Sequence, residues 1–195
     1  CSGVPIWTAY EVFSLWAFSN GYFIFVSWET HPIYLGLTFL ILPLFREVHF
    51  YFMHRLLHWP PLYNFSHYIH HKNVNPGPWS GMSMHWFEHI IYLSGPLIHF
   101  IVPSHPTHAI FQLFHAGIAP AFHGHIGFEK IQIGKIGIDT HTQAHYLHHK
   151  YFECNYADGA VPLDKYFGTF HDGSKEAQEK MIIRYKERMK KMRTV

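Results

Sequence analysis

The sequence predicts an all-α protein: an integral-membrane helical bundle with a histidine-rich helical cap outside the membrane. Three observations predict this fold: high apolar and aromatic content, one long apolar segment, and histidines clustered at helical spacing. Of the 195 residues, 48% are hydrophobic, 18% are aromatic and only 14% are charged. An average globular protein has roughly 25% charged residues. The 20 histidines lower the mean hydropathy and so conceal this apolar character.

Apolar segments locate the membrane helices. The longest runs from Pro32 to Trp59; as one helix it would be about 42 Å long, against roughly 30 Å for a hydrocarbon core, so one end would project into water. A second predicted span covers Tyr10 to Trp28. The segments 90–102 and 109–122 are short and interrupted by Pro or His, which indicates re-entrant or interfacial helices or a hairpin. Residues 124–137, rich in Gly and Ile, are predicted to form a loop. A soluble all-α core is the alternative.

Three histidine clusters have the spacing of one helix face. One is an HxxxH motif and two are HxxHH motifs, with the members His54, His58, His67, His70, His71, His145, His148 and His149. A single histidine is as often a core residue bonded to a carbonyl, but the repeated motif favours metal binding. Imidazole suits iron, zinc, copper and nickel. Since eight imidazoles exceed the needs of one tetrahedral ion, we predict a dimetal site.

Charge bears on partners and orientation. The net charge of +2, with no interleaved basic and aromatic pattern, predicts no nucleic-acid partner. Residues 174–195 are predicted to form a basic amphipathic helix; because Lys and Arg accumulate on the cytoplasmic side, we expect the metal site to face the cytosol. Two cysteines, Cys1 and Cys154, are too few for a disulfide framework and fit a reducing compartment. A chain that begins at Cys1 is expected to be a fragment or a processed product.

The ordered motifs resemble a known family. They are HRLLH at 54–58, HYIHH at 67–71, HWFEH at 85–89, HGHIG at 123–127, HYLHH at 145–149, NY at 155–156 and LDKYFGT at 163–169. Together, over residues 48–170, they resemble the fatty acid hydroxylase and sterol desaturase superfamily of integral-membrane oxygenases. The HRLLH spacing and the NPGPWSG segment at 75–81 look closer to the sterol desaturase branch.

This resemblance implies a non-haem di-iron enzyme that uses dioxygen (O2) to hydroxylate or desaturate a lipid of the sterol or fatty acyl type. The cofactors implied are two iron ions, with zinc as the alternative metal in purified protein. The sequence has no GxGxxG and no CxxCH motif, so electrons are expected from a cytochrome b-type or ferredoxin-type partner. The implied location is the endoplasmic reticulum or the bacterial inner membrane.

The resemblance also implies site residues. The eight clustered histidines carry over as metal ligands, and His125 is the ninth, with Ile126 where relatives have serine. The tenth ligand is left open among His123, His141, His85 and His89. In many relatives proline stands at the position of Trp86, which leaves the roles of His85 and Glu88 open. Groups expected to support the ligands from behind are Glu88, Asp164 and Asn155.

We expect one domain over residues 1–195, with membrane helices in about 1–47, the histidine-box catalytic region in 48–170 and a basic cytosolic tail in 171–195. Two other functions remain open. A zinc-binding membrane hydrolase would need a base such as Glu88, but the sequence has no HExxH motif. A non-catalytic metal-binding membrane protein, such as a transporter or store, would carry its ionisable groups along a membrane path, whereas these clusters lie at helix ends and in polar segments.

Overall fold

The computed structural model describes residues 2–193, and these are mostly helical. The long helices are α1 (Gly3–Ser19), α2 (Pro32–Leu57), α6 (Pro106–Phe122) and α9 (Lys175–Arg193). The short helices are α3 (Pro60–Leu62), α4 (Tyr68–His71), α5 (Trp86–Tyr92), α7 (Thr142–Tyr151) and α8 (Leu163–Tyr166). Two strands, β1 (Lys130–Ile133) and β2 (Ile136–Asp139), form a hairpin. Cys1 lies outside the described residues, and Cys154 is a buried free thiol.

Helix α2 agrees with the predicted helix over 32–59 except at its C-terminal end. Pro32 occupies its first turn, where a missing N–H costs nothing. The helix ends at Leu57 because Trp59 precedes Pro60 and takes an extended conformation. At 26 residues it is about 39 Å long. By length and composition it is the one helix among residues 2–193 that could cross a membrane.

The predicted span from Tyr10 to Trp28 is wrong, because the helix there begins and ends earlier. Helix α1 ends at Ser19, and Gly21 then adopts a left-handed conformation, φ +73°. The chain reverses, and Phe23 returns to pack with Ala17 of the same helix. Pattern alone did not reveal this end, since the apolar character continues through the turn.

Helix α1 packs against α6 and α5 at the N-terminal end of the chain. Trp7 of α1 lies directly over Gly117 of α6. The segment 90–102 divides into the end of α5 and a separate 3-10 helix, Gly95–Phe100. By contrast, the segment 109–122 belongs to one continuous 17-residue helix, α6, which is the helical alternative of the prediction rather than the hairpin.

The hairpin is a departure from the all-α prediction, which treated residues 124–137 as a loop. Its strands pair antiparallel, with Ile131 opposite Ile138 and Ile133 opposite Ile136. Gly134, at φ +61°, forms the turn. The alternation of isoleucine with polar residues or glycine is the strand signal that a loop assignment overlooked.

The predicted basic C-terminal helix is α9 over the described residues. Met181 anchors it against Leu147 of α7 and the Cys154 thiol. The Arg184 guanidinium donates to the backbone carbonyls of Glu153 and Gly168. The tail is therefore fixed to the segment that follows the third histidine cluster.

Packing of α1 on α6 can be tested at Gly117. A Cβ there would lie 1.9 Å from Cζ3 of Trp7, so Gly117→Ala forces the helices apart. We expect a loss of about 1–3 kcal/mol in the free energy of unfolding, seen as a lower thermal midpoint in detergent. Gly36→Ala in α2 is the matched control, since its Cβ would meet nothing within 4 Å and the helix should gain about 0.5–1 kcal/mol. Equal midpoints for the two variants would contradict this packing.

Candidate metal centre

Nine histidines meet in two adjacent groups at one end of the bundle. Group one contains His54, His58, His67, His71 and His148. Group two contains His70, His125, His145 and His149. Within each group every imidazole offers a nitrogen within 4.8 Å of the others, and all nine are buried except His58, which is half-buried. These are the same nine histidines that the sequence proposed as ligands.

Each HxxHH motif contributes to both groups. Neighbouring residues on a helix point about 100° apart, whereas residues four apart share a face. In the first motif His67 and His71 therefore enter group one while His70 enters group two. The second motif reverses this arrangement: His145 and His149 enter group two and His148 enters group one. The two HH dipeptides thus hold the groups side by side.

The local backbone of the first motif is unusual. The helical segment after Pro60 widens into a π-turn over Tyr63–His67 and then tightens again into α4. Single π-turns inside helices are rare and occur frequently at functional sites. Here the wide turn ends at His67, the first ligand candidate of the motif, and so sets the direction from which that ring enters group one.

Four of the nine rings are held from behind through Nδ1. The Nδ1–H groups donate to carbonyl or carboxylate oxygens: His54 to Tyr156 O at 2.8 Å, His148 to Cys154 O at 2.7 Å, His67 to Glu88 Oε1 at 2.7 Å and His125 to His123 O at 3.2 Å. Because a backbone carbonyl oxygen only accepts, the rings of His54, His148 and His125 carry their proton on Nδ1. The unprotonated Nε2 then bears a lone pair available to a metal ion.

The spacing between facing nitrogens fits a shared cation. In group one the Nε2 atoms of His58, His67 and His71 form a triangle with sides of 3.1, 3.1 and 3.2 Å. In group two Nε2 of His145 lies 3.2 Å from that of His125 and 3.0 Å from that of His149. An ion about 2.1 Å from each nitrogen places neighbouring ligands roughly 3.0 to 3.4 Å apart. Both groups therefore fit a metal ion.

Burial keeps these imidazoles neutral. Desolvation lowers the pKa of His67 to about 3, and desolvation together with the nearby His125 and His54 lowers the pKa of His149 to about 3. The pKa of His148 lies well below its usual range for the same reason, with His54 and His149 adding to the effect. Inside this pocket Nε2 of His148 has no hydrogen-bond partner. Neutral rings with free lone pairs are the form that binds a metal.

Of the three supporting groups predicted, only Glu88 contacts a ring. Its carboxylate is 1% exposed, accepts from His67 and leaves Oε2 without a partner. Burial raises the pKa of Glu88 to about 8. Asp164 acts through the backbone instead: it accepts the N–H groups of Tyr156 and Ala157, at 2.9 and 2.8 Å, next to the carbonyl that holds His54.

Asn155 also supports the site through the backbone. In a left-handed conformation, φ +52°, it donates to the carbonyls of Ala144 and His171 and accepts from the His171 N–H. The segment after the last ligand helix is thereby tied to the start of α7.

The four candidates for a tenth ligand lie outside both groups. His85 begins α5, its Nδ1 accepting from the N–H of Phe87, and Nδ1 of His89 lies 3.1 Å from the hydroxyl of Ser2. His141 begins α7 in a left-handed conformation, φ 53°. His123 lines a cavity beside the groups without joining either.

Sequence reasoning missed a buried ionic cluster next to the histidines. Arg46 of α2 donates to Glu47, to Asp158 and to the Tyr92 hydroxyl. Side chains of Arg46 and Asp158 are each about 5% exposed. Asp158 lies two residues after the Asn155-Tyr156 motif, and this position was the one sequence feature from which its role near the ligands could have been predicted. The cluster links α2 to the segment whose carbonyls hold His54 and His148.

A cavity of about 20 Å³, with room for about one water-sized molecule, is lined by members of both groups. Its other walls include the apolar Met53, Leu57 and Met84 and the charged Arg46, Glu88 and Asp158. A small molecule can therefore lie against both groups.

Comparison with known proteins agrees with this site. The fatty acid hydroxylase family model matches residues 39–169, which include all nine grouped histidines. The chain belongs to the fatty acid hydroxylase family. No solved structure gives a significant match.

Curated relatives of this family member include sterol-modifying enzymes. A Delta(7)-sterol-C5(6)-desaturase of Nicotiana tabacum is 30% identical over 80% of this chain and 56% of its own length. A Delta(7)-sterol 5(6)-desaturase of Gibberella zeae is 28% identical over 70% of this chain and 42% of its own. Methylsterol monooxygenase 1 of Gallus gallus is 27% identical over 72% of this chain and 45% of its own. The predicted closeness to the sterol desaturase branch is confirmed, and the chain spans about half the length of these relatives.

Assignment of adjacent histidines to different groups can be tested directly. His148→Ala removes a nitrogen from group one and His149→Ala removes one from group two. We expect each variant to lose one of two bound ions, because a buried site that lacks a ligand no longer outcompetes water. Elemental analysis of purified protein measures the loss.

His141→Ala is the control for both variants, because it alters a histidine outside the groups. Metal content should remain that of the parent chain. A loss as large as that in the His148 and His149 variants would contradict the assignment.

The support that Glu88 gives to His67 predicts a graded effect on metal affinity. Glu88→Ala leaves the Nδ1–H of His67 without an acceptor and should weaken binding by about 10–100-fold. Glu88→Gln keeps an oxygen in place and should weaken it less. Competition with a chelator measures both affinities, and Glu176→Gln on the exposed face of α9 is the control. Equal affinities for all three variants would show that Glu88 does not hold the ring.

Proposed function

We propose that this chain is the metal-binding part of a membrane-bound di-iron oxygenase that hydroxylates or desaturates a lipid, with a sterol as the favoured substrate class. The observation that carries the proposal is the pair of adjacent all-imidazole groups around one small cavity. The relatives named above act on sterols, which favours that class over fatty acyl chains.

The nine grouped histidines are the proposed ligands of two iron ions. Imidazole-only donor sets would leave the ions their positive charge. When bound, two irons would supply the capacity to activate dioxygen and oxidise an unactivated C–H bond, given two electrons from outside. Imidazole alone suits several metals, and the family match favours iron among them.

The protein's own contribution is to orient the imidazole rings and to line the cavity beside them. Oxygen atoms of Tyr156, Cys154 and Glu88 fix the rings from behind, so the inward lone pairs stay aimed without reorganisation. Apolar side chains of Met53, Leu57 and Met84 line part of the small cavity that both groups share.

Helix α2 supports a membrane location. It buries Arg46, Glu47 and His54, while most of its exposed side chains before Arg55 are apolar, among them Leu37, Leu40, Ile41 and Leu44. A helix of a water-soluble protein has the opposite arrangement, with apolar residues inside and polar ones outside. We therefore propose that residues in about 1–47 lie in the bilayer, that 48–170 form the catalytic cap and that 171–195 are a cytosolic tail.

Basic residues of α9 orient the cap toward the cytosol in this proposal. Electrons are proposed to arrive there from a cytochrome b-type or ferredoxin-type protein, because the sequence carries no nucleotide or haem motif of its own.

Metal content and turnover together test the function. Protein purified from membranes should contain two irons per chain, should consume dioxygen when reduced, and should add one oxygen to a sterol or remove two hydrogens from it, as read by mass spectrometry. The His70→Ala/His148→Ala variant removes one ligand from each group and should lose iron and turnover together. Fatty acyl lipids are assayed in parallel as the alternative substrates.

Stoichiometric zinc that persists when iron is supplied, with no dioxygen consumption, would overturn the proposal in favour of a zinc site. Turnover of acyl lipids alone would keep the oxygenase and overturn the sterol assignment.

A further inference from the structure

The β-hairpin presents an apolar face that nothing within the described residues covers. Register places Ile131 opposite Ile138 and Ile133 opposite Ile136, so four isoleucines share one face. Three of them are strongly exposed: Ile133 by 63%, Ile136 by 67% and Ile138 by 48%. The other face carries Lys130, Gln132, Gly137 and Asp139, with an ion pair of 3.6 Å between Lys130 and Asp139.

Such a hairpin is marginal in water. A two-stranded sheet needs a surface that covers its apolar face before it is stable on its own. Here the base is fixed, since Thr140 and Thr142 donate to the Phe128 carbonyl and the N–H of Gln143 donates to Glu129. The isoleucine face is therefore an ordered, exposed apolar surface.

The position of the hairpin identifies what covers it. It connects His125 of group two to α7, which begins just before His145 of the same group. Helices α2 and α6 both end close to these groups. The exposed apolar side chains of α2 continue to that end through Phe52, 46% exposed, and Leu56, 44% exposed. The exposed apolar surface of α2 thus extends to the end of the helix that carries His54 and His58 of group one.

A lysine at the tip of the hairpin favours a lipid surface over a protein partner. Lys135 lies in the turn between the strands, while Lys130 at the base is paired with Asp139 on the opposite face. A lysine beside an apolar face can reach phosphate groups while the apolar residues enter the acyl boundary. An isoleucine face with a lysine at its tip fits an element that lies in a membrane interface.

We propose that the isoleucine face of the hairpin inserts into the lipid interface beside group two, with Lys135 at the headgroups. The inference rests on the proposed membrane location of the chain. It gives the hairpin a role in the same site: it fixes His125 and His145 next to the bilayer surface, from which a lipid can reach the cavity without crossing water.

Fluorescence quenching in lipid nanodiscs tests the proposal. A bimane label is placed on the full chain at Ile136→Cys, or at Gln132→Cys on the polar face of the same hairpin as the matched control. Cys1→Ser removes the other reactive thiol, and the buried Cys154 stays. Quenchers are phosphatidylcholine and phosphatidylglycerol with brominated acyl chains, and iodide in the buffer. A third label at Leu40→Cys, at a 74% exposed position of α2, reports on the membrane location itself.

Label 136 should be quenched by brominated chains, and iodide should quench it several-fold less than label 132. Iodide quenching at 136 as strong as at 132 would overturn the proposal by placing the face in water. Protection of 136 from both quenchers would also overturn it, in favour of a protein cover such as a second copy. If label 40 responds to brominated lipid while 136 does not, the hairpin proposal fails alone. If label 40 does not respond, the membrane location fails and this inference fails with it.

Discussion

The structure depends on how nine imidazoles, eight of them buried, can face one another. Lone pairs at 3.0–3.2 Å repel unless a cation lies between them, and burial prevents protons from serving as that cation. The rings must therefore be held by hydrogen bonds on their outer nitrogens to acceptors whose positions are fixed. Carbonyl oxygens of Tyr156 and Cys154, and the carboxylate of Glu88, provide this support. A pocket of this kind is preorganised to bind metal ions. The same arrangement lowers the stability of the protein without metal.

One short segment connects this support to the rest of the chain. Residues 154–158 carry the carbonyls that hold His54 and His148, and Asp164 fixes their backbone through the N–H groups of Tyr156 and Ala157. Asp158 in turn reaches Arg46 of α2. A long apolar helix and the histidine cap are thereby joined by a buried ionic contact, which is strongly destabilising to break on one side only.

Much of the centre could be predicted because helical spacing is a local property. Helical spacing predicted a shared direction for the imidazoles of each motif, which holds for the histidines four residues apart, and the two-ion site inferred from the number of imidazoles stays a prediction. Division of the His70-His71 and His148-His149 pairs between groups was not predicted, since it depends on how separate helices approach. The π-turn before His67 and the carbonyl acceptors are features of the backbone, so no pattern of side chains in the sequence predicts them. The end of α1 was missed because its apolar pattern continues past Gly21, and the hairpin because its alternation is short.

X-ray absorption at the iron edge of the iron-loaded chain tests the central claim most directly, since it identifies the atoms bound to the metal. The account predicts a first shell dominated by nitrogen at about 2.1 Å, with the outer scattering of imidazole rings at both irons. A first shell dominated by carboxylate and water oxygens or by sulfur, without imidazole scattering, would show that the two histidine groups do not hold the metal.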